Sequence, residues 1–291
     1  MRIAVTGSTG QLALSLIERA HEGVEIVTLR RPAFALEDRR SVLDGIKMVR
    51  PDVVINAAAY TAVDKAEAEE DLAVRVNGEG AGHVAEAATG IGVPLLHLST
   101  DYVFDGELDR PYREDDPPGP ISAYGRSKLV GEKRVAERCP DSAILRTAWL
   151  YSPFGANFVR TMLRLNETRD EVGVVADQRG NPTSALELAD ALLVIAMRIR
   201  SDGSPSLRGV FHITGSGEAS RADFAEAVFE NAQTRGRRLT RVKRITTADY
   251  PAPARRPANC RLDNGKLRRV YGLALPEWRA SLAVCCARLL D

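Results

Sequence analysis

The segment Tyr124-Gly125-Arg126-Ser127-Lys128 sets a phenol and an ammonium four residues apart. On a helix they share one face. A lysine beside a tyrosine favours the phenolate, which would lower the phenol pKa and let Tyr124 exchange a proton nearer neutral pH. A second polar group, Ser99-Thr100-Asp101-Tyr102, follows the run Leu95-Leu96-His97-Leu98. Thr100 could hydrogen-bond a substrate carbonyl while Tyr124 protonates it and a hydride arrives from a nicotinamide. Its plainer role would be a turn hydroxyl that caps the next segment. His97, inside the apolar run, reads as a packed core histidine rather than a base.

A hydride donor needs a cradle. Gly7-Ser8-Thr9-Gly10-Gln11-Leu12-Ala13 follows the first apolar run and opens a helical pattern. Glycines at 7 and 10 permit a tight turn close to a pyrophosphate, with helix N–H groups aimed at the anion, although a plain structural turn has the same composition. The second run ends Leu29-Arg30-Arg31, with no acidic residue for a ribose 2′-hydroxyl. Arg30 and Arg31 suit a 2′-phosphate, because guanidinium forms planar, charge-assisted bonds to phosphate oxygens. NADPH is therefore the expected cofactor and NADH a possible one; the alternative is an exposed arginine pair in an arginine-rich chain. The third run ends Asn56-Ala57-Ala58-Ala59-Tyr60-Thr61, whose small residues leave room for a cofactor over the backbone, or for a close helix contact.

The elements that must hold these groups follow from periodicity. Ile3–Val5, Val24–Leu29, Val53–Asn56, Pro94–Ser99 and Ala143–Trp149 are short, apolar and bounded by turn residues, as parallel strands buried on both faces are. Leu12–His21, Arg40–Val49, Asp71–Thr89 and Tyr124–Arg138 carry helical spacing. The expected fold class is α/β: a Rossmann-like, doubly wound parallel sheet with right-handed crossovers and a smaller, interleaved C-terminal substrate-binding domain. Helices over Asn157–Asn166, Leu186–Arg200, Arg221–Asn231, Leu262–Leu267 and Glu277–Leu290, a strand over Gly209–Thr214 and an extended loop over Pro251–Pro257 complete the reading. The division expected is 1–152 with about 184–214 for the dinucleotide, and 153–183 with 215–291 for the substrate.

Composition removes other classes. The chain has 291 residues and a net charge of +1, so it has no broad field for nucleic acid or an anionic membrane surface. Its basic residues are 34 Arg and only 6 Lys, which makes each lysine informative. No apolar stretch approaches the roughly 20 residues of a bilayer span, and the N-terminus lacks a signal-peptide pattern. These features predict a soluble, cytoplasmic protein. Cys139, Cys260, Cys285 and Cys286 show no metal or redox spacing and read as buried thiols.

Together, Gly7–Ala13, Thr100 and the Tyr124/Lys128 pair resemble the extended short-chain dehydrogenase/reductases. Further blocks resemble the dTDP-4-dehydrorhamnose reductase family within that group: Asn56–Glu67, Ser99–Gly106, Arg146–Trp149, Asp177–Thr183 and Tyr250–Pro257. The resemblance implies reduction of the C4 ketone of dTDP-4-dehydro-L-rhamnose by NADPH. It implies Tyr124 as proton donor, Lys128 as the group that binds the nicotinamide ribose and tunes Tyr124, and Thr100 as the polariser of the ketone. Asp101, Tyr102 and Trp149 would hold the dTDP-sugar. Gly7, Gly10, Gln11, Leu12, Arg30, Arg31, Ala57, Ala58, Ala59, Tyr60 and Thr61 would line the cofactor.

There are also departures. Some family members hold Mg²⁺ between subunits through glutamates, but two matching positions here are Ser15 and Leu186, with Glu187 adjacent. Without carboxylates a hard cation has little to bind, so no metal is expected, and the chain would be a monomer or a homodimer without a Mg²⁺ bridge. Where the family often has an acidic residue near the adenine, this chain has Ala35-Leu36. A 4,6-dehydratase would place Asp-Glu after the threonine, whereas Asp101 is followed by Tyr102. Two alternatives remain: a reductase of another nucleotide-linked 4-keto-6-deoxysugar, and a non-catalytic nucleotide-binding subunit.

Overall fold

The computed structural model describes residues 1–291. Successive residues of the strand Arg2–Thr6 point to opposite faces: Ile3 and Val5 enter one core and Ala4 the other, all fully buried. Five more strands extend this pattern into one all-parallel sheet, in the order Gly209–His212, Ser142–Thr147, Leu95–Thr100, Val53–Asn56, Arg2–Thr6, Glu25–Leu29. On one face the helices Gln11–Arg19 and Ala185–Ser201 bury Leu12, Leu16, Leu192 and Ile195. On the other, Arg39–Val49, Gly80–Gly90 and Ala123–Arg138 bury Val42, Ile46, Val84 and Val135. This is the doubly wound α/β arrangement.

A separate core lies in the second half of the chain. Phe224 on the helix Arg221–Gln233 stacks on Phe158 at 5.1 Å and meets Trp278 edge-on at 5.6 Å. Trp278 opens the helix Trp278–Leu290, and Phe158 opens Phe158–Asn166. Short strands fill the remaining space: Arg179–Gly180 between Ala219–Ser220 and Asn259–Cys260, and Glu171–Val175 beside Arg241–Ile245. All four cysteines are buried and unpaired. No helix is long and apolar enough to cross a membrane.

Three expected elements differ. Leu262–Leu267 is not helical throughout: Leu262 bridges to Tyr112, and the helix runs Gly265–Tyr271, because Asp263 and Asn264 turn the chain first. The helix expected over Asp71–Thr89 contains a π turn at Arg75–Glu79 between Glu70–Val74 and Gly80–Gly90. The strand expected over Ala143–Trp149 ends at Thr147, and Trp149 adopts φ 47°, a left-handed conformation costly for a bulky residue.

Candidate active site

The strand order reverses at Arg2–Thr6, where the chain turns one way to Glu25–Leu29 and the other way to Val53–Asn56. Open α/β sheets bind ligands in the crevice outside the carboxyl ends of strands at such a point. Here the Thr6 hydroxyl is tied within the protein: it donates to Asn56 at 2.7 Å and accepts from the Ala57 and Ala58 N–H groups. Asn56 is in turn bonded to His97 at 3.0 Å. His97 is buried and held well below its ordinary pKa by that burial and by Lys128, so it packs as a neutral core residue.

Above this floor lie two cavities of about 550 and 530 Å³ that meet at Gly7, Ser8, Thr9, Ala58 and Ala59. Gly7 has φ +84°, and a Cβ there would press on Ala58 at 3.3 Å. Gly10 differs: a Cβ on it would meet no protein atom within 4 Å. Its missing side chain therefore serves the groove and not internal packing. The inner cavity gathers Gly10, Gln11, Leu12, Ala57, Thr61, Thr100, Asp101, Tyr124, Lys128 and Trp149. The outer one gathers Arg30, Arg31 and Tyr60 with apolar Phe34 and Leu36. Arg30 is exposed and unpaired, whereas Arg31 is tied to Glu37. The Tyr60 phenol leaves the groove to donate to Glu69 at 2.6 Å. Gln11 is braced too, its amide spanning Leu150 and Ser152.

Ser122 caps the helix Ala123–Arg138 by accepting from Gly125 N–H, which sets Tyr124 in the first turn and Lys128 one turn later. A Cβ at Gly125 would sit 2.1 Å from the Tyr102 carbonyl, so this helix lies directly against the Thr100–Val103 turn. Lys128 is buried and its Nζ donates to the Leu98 carbonyl at 2.6 Å. Burial lowers it to about 8, opposed by Glu132. Thr100 donates to Asp101 at 2.9 Å and also accepts from Tyr102 N–H, capping the next turn. The expected lowering of the Tyr124 phenol does not occur. Burial, and then the Asp101 carboxylate, push it up to about 12, with only the Thr100 hydroxyl opposing. Burial also raises Asp101 to about 6.

Asp101, Thr147 and Trp149 line the inner cavity, with the polar atoms Asp101 Oδ2, Thr147 Oγ1 and Trp149 Nε1 buried beneath its surface. The buried Cys260 thiol lies against Asp101 and Trp149 and partly occupies this polar cluster, so Asp101 and Trp149 are held together from behind. Tyr102, next to Asp101, faces a third cavity of about 790 Å³ between the two halves of the molecule. Arg221 lines that cavity and stacks its guanidinium 3.6 Å from the Trp149 ring.

Sequence reading missed several of these residues. Asn77, in the π turn, accepts from Tyr60 N–H at 2.8 Å and donates to the Tyr60 carbonyl and to Ser127 Oγ, which donates to the Tyr124 carbonyl. It thereby clamps the cofactor-side loop to the Tyr124 helix. Behind Thr100, Ser99 donates to Glu132 at 2.5 Å, and Arg146 pairs with Glu132 through two bonds, all three residues buried. At the departures noted above, Ser15 turns its hydroxyl back onto Gln11, Leu186 is buried, and Glu187 accepts from Ser281.

Known proteins share this sequence pattern and fold. The family model of the RmlD substrate binding domain matches residues 1–290. A dTDP-4-dehydrorhamnose reductase of Sinorhizobium fredii is 54% identical over 97% of this chain and 95% of its own length. A crystal structure of a dTDP-4-dehydrorhamnose reductase from Clostridium acetobutylicum superposes with a TM-score of 0.93 at 38% identity, covering 100% of both chains. One from Bacillus anthracis, in complex with NADP, gives 0.91 at 35% identity over 98% of each chain. The chain belongs to the dTDP-4-dehydrorhamnose reductase family, whose members are NAD(P)H-dependent oxidoreductases.

Proposed function

We propose that this protein reduces the C4 ketone of dTDP-4-dehydro-L-rhamnose to dTDP-L-rhamnose with NADPH. The observation that carries the proposal is the convergence of Thr100, Tyr124 and Lys128 at the inner end of a groove whose Gly10 leaves open space. The groove fits a dinucleotide: Gly7–Leu12 and Ala57–Thr61 line it, Lys128 closes one end, and Arg30 stands free at the other. When bound, reduced nicotinamide supplies the hydride.

The chain's own residues do the rest. Tyr124 holds a proton on its phenol oxygen, and its raised pKa keeps that proton in place until a ketone oxygen gains negative charge. Thr100 offers a hydroxyl to the same oxygen once it turns from Asp101. Lys128, cationic below about pH 8, offers its ammonium at the inner end of the groove, where it would hold the nicotinamide ribose. Asp101, Tyr102 and Trp149 hold the sugar nucleotide at the junction with the third cavity, where Arg221 offers an unpaired guanidinium to its diphosphate. Residues 1–152 with about 184–214 would carry most of the dinucleotide and 153–183 with 215–291 most of the sugar nucleotide. The division is not strict, since Asp101, Tyr102 and Trp149 serve the sugar and Leu267, Tyr271 and Leu275 pack into the sheet core.

The near-neutral surface gives no reason for a nucleic-acid partner. Work in the cytoplasm, as a monomer or a homodimer without a bridging metal, completes the proposal. The test is NADPH oxidation dependent on dTDP-4-dehydro-L-rhamnose, with product identification. Cofactor binding without ketone-dependent oxidation would instead favour a non-catalytic subunit.

A further inference from the structure

The loop Pro251–Pro257 walls the 790 Å³ cavity with Pro251, Ala252, Ala254, Arg255 and Arg256. Three prolines in seven residues remove the N–H groups that a sheet ladder would need, so it cannot be held as a strand. Its hydrogen bonds to the opposite half of the molecule all end on one side chain. Asp64 accepts from Ala254 N–H at 3.3 Å and from Arg256 Nη2 at 2.8 Å, while Arg256 Nη1 donates back to the Ala254 carbonyl. Asp64 stands in the short helix Val63–Ala66, directly after the Ala57–Thr61 segment that lines the dinucleotide groove. One carboxylate thus ties the wall of the third cavity to the lining of the first.

We propose that Asp64 and Arg256 are positioning residues that pre-set this wall for the nucleotide part of the substrate. The inference rests on the reductase reading above. The physical ground is preorganisation: a loop fixed before binding does not have to be ordered by the ligand. The pair is only partly buried, with side chains 44% and 24% exposed, so it adds little to global stability. Its loss should therefore appear in substrate affinity and not in Tm.

The test uses Asp64→Ala, Arg256→Met, the double variant and Arg256→Lys in the full-length protein. Calorimetry with dTDP reads the wall directly, and steady-state kinetics with dTDP-4-dehydro-L-rhamnose reads it in turnover. The expected result is that each single variant weakens dTDP binding and raises the sugar-nucleotide KM at least tenfold, with kcat within about twofold of wild type. NADPH affinity and Tm should hold. The double variant should be no worse than the poorer single one, as for two members of one interaction, and Arg256→Lys should recover most of the loss. If Arg256→Met weakens binding but Asp64→Ala does not, Arg256 touches the nucleotide directly and the proposal fails. Additive losses, a shared fall in Tm, or unchanged dTDP affinity would also overturn it. A wild-type protein that binds dTDP but does not turn over the keto sugar would fail the reductase reading alone.

Discussion

Lys128 donates its ammonium to the backbone carbonyl of Leu98 at 2.6 Å, joining the helix that carries Tyr124 to the strand that ends in Thr100. This bond and the close approach of Gly125 to the Tyr102 carbonyl hold the three groups at one end of the groove. The protonation states follow from burial: it lowers Lys128, against Glu132, and together with Asp101 raises Tyr124, against the Thr100 hydroxyl.

The first prediction is a pH dependence. A lysine lowered to about 8 is charged below that pH and neutral above it. If the charged form is the active one, kcat/KM should fall as pH rises through about 8. Lys128→Arg keeps its charge over this range and should flatten the falling limb at a lower overall rate. An unchanged limb in that variant would assign it to another group.

Tyr124→Phe removes one oxygen and leaves the ring. Turnover should fall by about 10²–10⁴-fold, the range for losing a general acid. NADPH binding, followed by fluorescence, should persist, because the groove keeps its other contacts. Wild-type turnover in this variant would take the proton-donor role from Tyr124.

Arg30 and Arg31 are adjacent but not equivalent, since Arg31 is engaged by Glu37 and Arg30 is free. Arg30→Ala should raise the NADPH KM about tenfold or more, charge-assisted bonds contributing about 1.5–3 kcal/mol. The NADH KM should barely move, and Arg31→Ala should have the smaller effect. Equal losses with both cofactors would contradict recognition of a 2′-phosphate by Arg30.

Gly180 supports Trp149 from beneath, where a Cβ would lie 2.5 Å from the indole ring. Gly180→Ala should displace that ring from Arg221, raise the sugar-nucleotide KM, and cost about 1–3 kcal/mol in denaturant unfolding, as overpacking does. A variant with native stability and KM would show that Trp149 has room to spare.

Much of this is legible in the amino-acid sequence. The alternation of apolar runs with helical patterns gives the parallel sheet, because buried strands and amphipathic helices differ in period. The glycine turn, the Tyr124–Lys128 spacing and the strand-end position of Thr100 are local features, and they meet in one cavity. What stayed hidden depends on contacts distant in sequence. Asn77 acts through Tyr60 and Ser127, which no local pattern joins. Arg221 is one arginine among 34 until the fold stacks it on Trp149. The Tyr124 phenol moves opposite to expectation for the same reason: helical spacing says nothing of the burial and the Asp101 carboxylate that raise it.

The most direct measurement is NMR identification of the product after the purified protein is incubated with NADPH and dTDP-4-dehydro-L-rhamnose. The account predicts dTDP-L-rhamnose, formed one-for-one with NADPH consumed and lost in Tyr124→Phe. A 6-deoxytalose product, or no consumption of NADPH, would contradict it.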